Sequence, residues 1–195
     1  TLFENMQFAL CLDSLADSLK NDGLFLYVSK PPKAGTPAAT FWENANQVAT
    51  RYYPSINSSM IHKKINLADN FLSWEHERFS LRRISAFTMS SLVSPKVMKR
   101  QSLIDVYDQS YINALEMNAN IIGEALARQL YGSVEDNLLK SEYAVSPSHI
   151  KSLFEHIANI PRAQQMLLST SKGTSYQLPA LLKTIQAIMR KYSNN

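Results

Sequence analysis

One stretch of the chain gathers residue types that could do chemistry. Residues 74–79, Trp-Glu-His-Glu-Arg-Phe, place His76 between two carboxylates, and Asp13 ends an apolar run that begins at Met6. Histidine and aspartate are both ligands of zinc in enzymes. A zincin helix needs a second histidine four residues after the first so that both imidazoles share one face, but Ser80 stands there. Taken alone, the residue types favour structural roles. We expect Asp13 to form a turn, the flanking carboxylates Glu75 and Glu77 to hold His76 by hydrogen bonds, and Trp74 and Phe79 to pack into the sheet.

Other chemical signals in the chain are weaker. Asn57 begins an Asn-Ser-Ser glycosylation sequon, which has meaning only if the domain faces the secretory lumen. Cys11, the single cysteine, lies in an apolar run and is predicted to be a small buried thiol. Residues 82–85, Arg-Arg-Ile-Ser, fit a basophilic kinase pattern, but Ser85 is predicted to begin a buried strand. The five glycines are isolated, which excludes a glycine-rich phosphate loop and a G-x-S-x-G nucleophile turn.

The composition suits one globular domain, alone or with a helical appendage. The chain has 195 residues, 45% hydrophobic and 18% charged, with a net charge of +4. Lysines and arginines are concentrated between residues 63 and 100, but no nucleic-acid motif or interleaved aromatic residue accompanies them. We therefore interpret them as a solvated face and expect no nucleic-acid partner. No apolar stretch of about 18 residues predicts a membrane span, and we interpret the chain as a piece of a longer protein.

The elements that would position these residues begin with four strands, predicted at 6–12, 24–28, 59–65 and 84–89. The first is a nearly continuous apolar run, typical of a strand covered on both faces. Charged positions in the third indicate an edge or a strand end. The first helix is predicted between Thr36 as its cap, with Pro37 in the first turn, and Pro54 after its end.

The strongest helical pattern covers residues 111–131, where Glu124 and Arg128 are spaced to pair and Gly132 supplies the end. Its predicted apolar stripe is Leu115, Ala119, Ile122, Leu126 and Leu130.

Only helices are predicted beyond this point. One opens at Ser146-Pro147, a short one restarts at Pro161, and a third covers 178–192. Their apolar faces are Ile150, Leu153, Phe154 and Ile157 in the first, and Leu181, Ile185, Ile188 and Tyr192 in the last. The alternation of strands and helices, followed by helices alone, predicts an α/β domain over 1–132 and a helical extension over 133–195.

Several segments of the chain resemble known families. Asp13 after a strand, His76 with Phe79, and the segment 84–87 resemble the second half of an M28 zinc aminopeptidase-like domain with a mixed sheet and flanking helices. The segments 11–13, 28–32, 64–68, 74–79 and 161–163 resemble the nicalin family, relatives of nicastrin. By the M28 resemblance, Asp13 and His76 occupy the positions of zinc ligands.

The departures from the peptidase pattern predict a retired enzyme scaffold. Glu75 stands where the family has aspartate, Ser85 where it has proline, and Ala16 where it commonly has glycine. The remaining ligands and the carboxylate base of the family fall upstream of the segments present, so at most two ligands remain, against about three for a catalytic zinc. We therefore expect no catalytic residue, no bound metal and no cofactor.

Two functions follow from the resemblance. The nicalin-like interpretation implies a non-catalytic subunit of an endoplasmic-reticulum membrane complex, with this domain lumenal, Asn57 open to glycosylation and a membrane anchor outside this chain. Its implied partners are nodal modulator and a small multispanning membrane protein, acting with the translocon on multipass membrane proteins. The alternative is a zinc-dependent aminopeptidase of which this chain is an incomplete half.

Overall fold

The computed structural model describes residues 6–16, 23–69, 72–97, 108–132, 144–158 and Arg190. The chain divides into two compact units, Thr1–Ile160 and Pro161–Asn195, and the elements below belong to the first. Their order is β1 (Ala9–Leu12), β2 (Gly23–Val28), α1 (Pro37–Tyr52), β3 (Asn57–His62), α2 (His76–Leu81), β4 (Ala86–Ser90), α3 (Gln109–Tyr131) and α4 (Pro147–Ala158).

The four strands form one mixed sheet in the order β1-β4-β2-β3. β1 is parallel to β4, β2 is parallel to β3, and the central pair β2 and β4 is antiparallel. The carboxyl-terminal ends of β2 and β3 therefore lie at the same end of the sheet as the amino-terminal ends of β1 and β4. The predicted α/β class is confirmed, while its likeness to a peptidase stays a prediction.

The two faces of the sheet are covered by different elements. Helices α1 and α3 cover the face that we call the helical face, whose strand side chains are Leu24, Leu26, Val28, Phe87 and Met89. Because strand side chains alternate, Phe25 and Tyr27 point to the opposite face, where they pack with Trp74 and Leu92. We call this second side the α2 face, since His76 of α2 contacts it.

Helix α1 forms for local reasons that its sequence displays. The Thr36 hydroxyl accepts a hydrogen bond from the Ala39 N–H at 3.4 Å, and Pro37 occupies the first turn. Phe41, Ala45 and Val48 are buried against the sheet. The predicted helix is confirmed along its length.

Helix α3 ends where predicted, but it begins at Gln109 instead of Tyr111 and buries a different face. Gly132 caps it with a positive φ of 85°, and Arg128 pairs with Glu124 at 3.0 Å. The fully buried residues are Ile112, Ala114, Asn118, Asn120, Ile121, Ile122, Glu124 and Ala125. Of the predicted stripe only Ile122 is among them, and Leu130 is 74% exposed. The apolar pattern is misleading because two polar residues are buried as well: Asn118 donates to the Leu15 carbonyl, and Glu124 pairs with Arg128 one turn along the helix.

All four strand predictions differ from the structure in their bounds, the second only because β2 already begins at Gly23. The first strand begins at Ala9 instead of Met6, and its residues are half-buried or exposed because it lies at an edge of the described sheet. The prediction that it is covered on both faces is therefore wrong. The third strand covers 57–62 and the fourth 86–90. Strand β3 is an edge strand of the described sheet, as its charged positions indicated.

Helix α4 begins at Pro147, as predicted, and packs on α3. The Val145 N–H donates to Oδ1 of Asn120 at 3.1 Å, and Ile150 is buried, whereas Leu153 is 49% exposed. The helices predicted at Pro161 and at 178–192 lie outside the described residues, and the domain boundary at residue 132 stays a prediction. In the described part of the chain, no helix combines the length and the apolar character needed to cross a membrane.

Candidate functional site

His76 begins helix α2 and is buried against the centre of the sheet. Its side chain is 2% exposed, and Nδ1 lies 2.9 Å from Oγ1 of Thr88 on β4. Burial lowers the pKa of His76 to about 4, because desolvation penalises the charged imidazolium. The imidazole is therefore neutral near pH 7.

Thr88 connects His76 to Cys11, its register partner on β1. The Cys11 side chain is half-buried and hydrogen-bonded to that of Thr88. Burial raises the pKa of Cys11, and the negative charges of Glu75 and Asp13 add to this effect. The thiol is therefore protonated near neutral pH, which is the opposite of the thiolate that a cysteine nucleophile requires. We call Cys11, Asp13, Glu75, His76 and Thr88 the His76 cluster.

Asp13 follows β1 in a turn that distant residues hold in place. The Asp13 N–H donates to the Met89 carbonyl at 3.2 Å, and the Ser14 hydroxyl donates to Oδ1 of Asp13 at 3.0 Å. Ser14 has a positive φ of 56°, and its carbonyl accepts from both the backbone N–H and the hydroxyl of Ser91. Nδ2 of Asn118 donates to the Leu15 carbonyl at 2.7 Å. Asp13 is thus the turn former that its position after a strand predicts.

The two carboxylates beside His76 do not have the role that the sequence favours for them. Glu75 is exposed, and Glu77 is buried with Oε2 accepting from the Ser73 N–H at 3.0 Å. The hydrogen bond described for His76 goes to Thr88 instead. The expectation that flanking carboxylates hold His76 is therefore wrong, because successive residues of a helix point in different directions.

The residues of the His76 cluster do not fit a catalytic zinc. Within the described ranges, no three His, Cys, Asp or Glu side chains form a group that could hold a metal ion. Asp13 and His76 do lie against the same strand pair, β1 and β4, which the sequence alone could not establish. A neutral imidazole, a protonated thiol and a buried hydroxyl form a hydrogen-bonding arrangement that is suited to holding strands and helix together.

Trp74, directly before α2, anchors the same region by packing. It is 2% exposed, and its ring centroid lies 4.4 Å from that of Tyr27 on β2. The Tyr27 hydroxyl in turn donates to the Leu92 carbonyl at 2.6 Å. The predicted burial of Trp74 is confirmed, whereas Phe79 is half-buried.

Two surface residues of the sequence predictions can now be placed. Asn57 is exposed as the first residue of β3. It lies at the end of the sheet where β2 also begins and where β1 and β4 end. Ser85 is also exposed, since β4 begins one residue later at Ala86. The prediction that Ser85 is buried is therefore wrong.

Sequence reasoning missed Thr88, the residue that joins His76 to Cys11. Its signal was present, because Thr88 and Ser90 are polar positions two apart in an otherwise apolar strand, and both are 0% exposed. Polar residues on one face of a buried strand indicate hydrogen-bonding partners on that face. One partner of the Thr88 hydroxyl is on α2, the helix that precedes β4 in the chain. Residue types alone do not reveal that α2 packs on this face.

The chain is similar along nearly its whole length to curated proteins. It is 40% identical over 197 residues to the mouse protein "BOS complex subunit NCLN" and 36% identical over 197 residues to the dog protein of that name, each match covering 98% of this chain. The Caenorhabditis elegans protein "Nicalin" is 27% identical over 170 residues, or 82% of this chain. The chain spans about a third of the length of these relatives, between 30% and 33%. No protein-family model matches it.

Proposed function

Because the chain belongs to the nicalin family, we propose that it is part of a non-catalytic, peptidase-like subunit of an endoplasmic-reticulum membrane complex. The observation that carries the proposal is its similarity, over 98% of its length, to proteins named as BOS complex subunits. In this proposal the complete protein assembles with nodal modulator and a small multispanning membrane protein, and acts with the translocon in the biogenesis of multipass membrane proteins.

The chemistry of the His76 cluster supports a role without catalysis. Hydrolysis by a zinc peptidase needs a metal-bound water and a carboxylate base. In the His76 cluster, Nδ1 of His76 faces Thr88, Cys11 is a protonated thiol, and the Ser14 hydroxyl donates to Asp13. These residues hold the ends of β1 and β4 together, and the alternative aminopeptidase has no geometric support in them.

Partner binding is tested with the complete protein purified in mild detergent. We expect nodal modulator and a small multispanning protein to co-purify with it at near-equal amounts, measured by quantitative mass spectrometry. The matched comparison is a variant with His76→Ala and Asp13→Ala, which should keep both partners if it melts cooperatively. Recovery of the folded protein without these partners would contradict the proposed assembly.

The proposed absence of catalysis is tested on the same preparation. We expect no stoichiometric zinc by elemental analysis and no hydrolysis of aminopeptidase substrates. Zinc held in stoichiometric amount, with hydrolysis that is lost in His76→Ala, would establish the alternative function instead.

Lumenal placement is tested through Asn57, whose exposed side chain is open to an oligosaccharyltransferase. In cells, we expect the complete protein to lose apparent mass when it is treated with an endoglycosidase. The variant Asn57→Gln should lack the part of this shift that Asn57 contributes, and Ser59→Ala should match it because the sequon needs that hydroxyl. A variant Ser58→Ala keeps the sequon and serves as the control.

A further inference from the structure

The topology of the sheet brings three basic segments of the chain to the same end of the strands. These segments, 29–35, 62–69 and 82–85, follow β2, continue from the last residue of β3 and precede β4. β2 and β3 are parallel and end together, with Val28 in register with His62. β4 is antiparallel to β2, with Val28 in register with Phe87, so β4 begins at this same end. The segments that follow β2 and β3 are in direct contact, since the Lys63 N–H donates to the Val28 carbonyl at 3.0 Å and Nε2 of His62 lies 3.2 Å from the Ser29 carbonyl.

We call the cations of these segments the basic edge: Lys30, Lys33, Lys63, Lys64, Arg82 and Arg83. All six side chains are exposed, and none is ion-paired with another residue of the described chain. The segments 29–35, 62–69 and 82–85 carry a single carboxylate, Asp69. Their excess of positive charge is therefore larger than the +4 of the whole chain, and the remainder of the chain is net negative.

Exposed leucines lie next to the cations. Leu67 is 77% exposed and follows Lys64 by three residues, and Leu81 is 50% exposed directly before Arg82. Apolar side chains of this size are normally buried in the core, and here they are mixed with cations. Lysines and arginines combined with exposed apolar residues are typical of surfaces that lie against the headgroups of a membrane.

We propose that the basic edge docks on a membrane surface that contains anionic phospholipids, with Leu67 and Leu81 entering the headgroup layer. The charge complementarity is with the lipid phosphates and carboxylates. An acidic protein surface fits less well, because four of the six cations are lysines, which are depleted from protein interfaces. A fluid lipid surface can adapt to separate point charges from three loops. The inference goes beyond the proposed function and does not depend on it.

The experiment measures binding of the full chain to vesicles by co-sedimentation, with folding checked by circular dichroism and cooperative melting. One vesicle contains phosphatidylcholine alone, and in the other about a third of the lipid is phosphatidylserine. We expect binding to the anionic vesicles only, weakened by added salt. The double variant Lys63→Gln, Lys64→Gln should bind roughly twenty- to thirtyfold more weakly, since each lysine near an anionic surface is worth about fivefold.

The matched control neutralises two exposed lysines elsewhere, Lys96→Gln and Lys151→Gln, and should bind within about twofold of the unmodified chain. Leu67→Ser should weaken binding without changing its dependence on salt. If the Lys63, Lys64 variant does not fold, Arg82→Gln with Arg83→Gln replaces it, with the same expected loss.

Three results would overturn the proposal. The first is failure of the folded chain to bind anionic vesicles. The second is an equal loss of vesicle binding in the Lys96→Gln, Lys151→Gln control, which would show that binding responds to net charge alone. The third is tighter binding to soluble polyglutamate than to the vesicles, lost in the Lys63, Lys64 variant, which would assign the basic edge to an acidic polypeptide.

Discussion

The helical face and the α2 face of the same sheet are buried in different ways. On the helical face the buried strand side chains are all apolar, and two long helices cover them. On the α2 face, Thr88 and Ser90 are as deeply buried as any leucine, next to Tyr27 and Trp74. The covering elements there are a helix of 6 residues and irregular segments.

The difference follows from the backbone of the covering elements. A long helix satisfies its own backbone N–H and C=O groups, so it can lie on apolar side chains alone. Irregular segments need partners, and polar side chains supply them. The Ser90 hydroxyl accepts from the Leu92 N–H at 3.1 Å, the Tyr27 hydroxyl donates to the Leu92 carbonyl, and Glu77 accepts from the Ser73 N–H. Polarity on the α2 face is thus a consequence of what covers it.

The largest expected effect compares one aromatic anchor on each face. Phe41→Ala on the helical face and Trp74→Ala on the α2 face should each lower the free energy of unfolding by about 3–5 kcal/mol, because both side chains are fully buried. Chemical denaturation measures both values. A melting temperature unchanged by Trp74→Ala would show that the α2 face contributes little to stability.

The second expected effect separates the faces by pH. The pKa of His76 is about 4 in the folded chain and about 6.5 when unfolded, so the unfolded chain binds more protons between these values. The contribution of neutral His76 to the free energy of unfolding is complete above pH 6.5. It is lost as the pH falls toward 4, so the free energy of unfolding decreases by roughly 3 kcal/mol in total. The measurement is the free energy of unfolding across this range.

The control for the pH effect is His76→Gln, which lacks the titrating group. Its stability should be lower near pH 7, and the difference from the unmodified chain should shrink as the pH falls. A difference that stays constant between pH 7 and pH 4 would contradict the buried neutral imidazole.

A smaller effect tests the hydrogen bond between the sheet and α2. Thr88→Val keeps the shape of the side chain but removes the hydroxyl, leaving Nδ1 of His76 without this partner. We expect a loss of about 1–3 kcal/mol in the free energy of unfolding, the cost of an unsatisfied buried polar group. Thr88→Ser retains the hydroxyl and should recover part of the loss. Equal destabilisation by valine and serine would indicate packing instead of hydrogen bonding.

The sequence predicts the helical face better than the α2 face. The cap of α1 at Thr36, its proline and its apolar face are all local signals, and local signals were sufficient to define the helix. The buried face of α3 was misassigned because Asn118 is on the core side through a bond to the Leu15 carbonyl, 103 residues earlier. No periodicity contains that information.

The same limit applies to the candidate site and to the basic edge. His76 and Asp13 were identifiable by type, but the link through Thr88 and Cys11 requires the β1-β4 pairing. Lys30, Lys63 and Arg83 are far apart in sequence. They lie at one end of the sheet because β3 runs parallel to β2 and β4 runs antiparallel to it. The sequence interpretation of a solvated face did not distinguish scattered cations from cations gathered at one edge.

The smallest effect concerns Tyr27, whose ring packs on Trp74 while its hydroxyl holds Leu92. Tyr27→Phe keeps the ring and removes the hydrogen bond, so it should cost about 1 kcal/mol, well below the cost of losing Trp74.

Burial raises the pKa of Tyr27 to about 12. In the unmodified chain, stability should therefore fall as the pH rises above 10, because the unfolded tyrosine releases its proton first. Unfolding measured from pH 8 upward should show this decline reduced in Tyr27→Phe. If the variant declines as steeply as the unmodified chain, the buried hydroxyl is not the group responsible, and the polar side of the α2 face is less important than its aromatic packing.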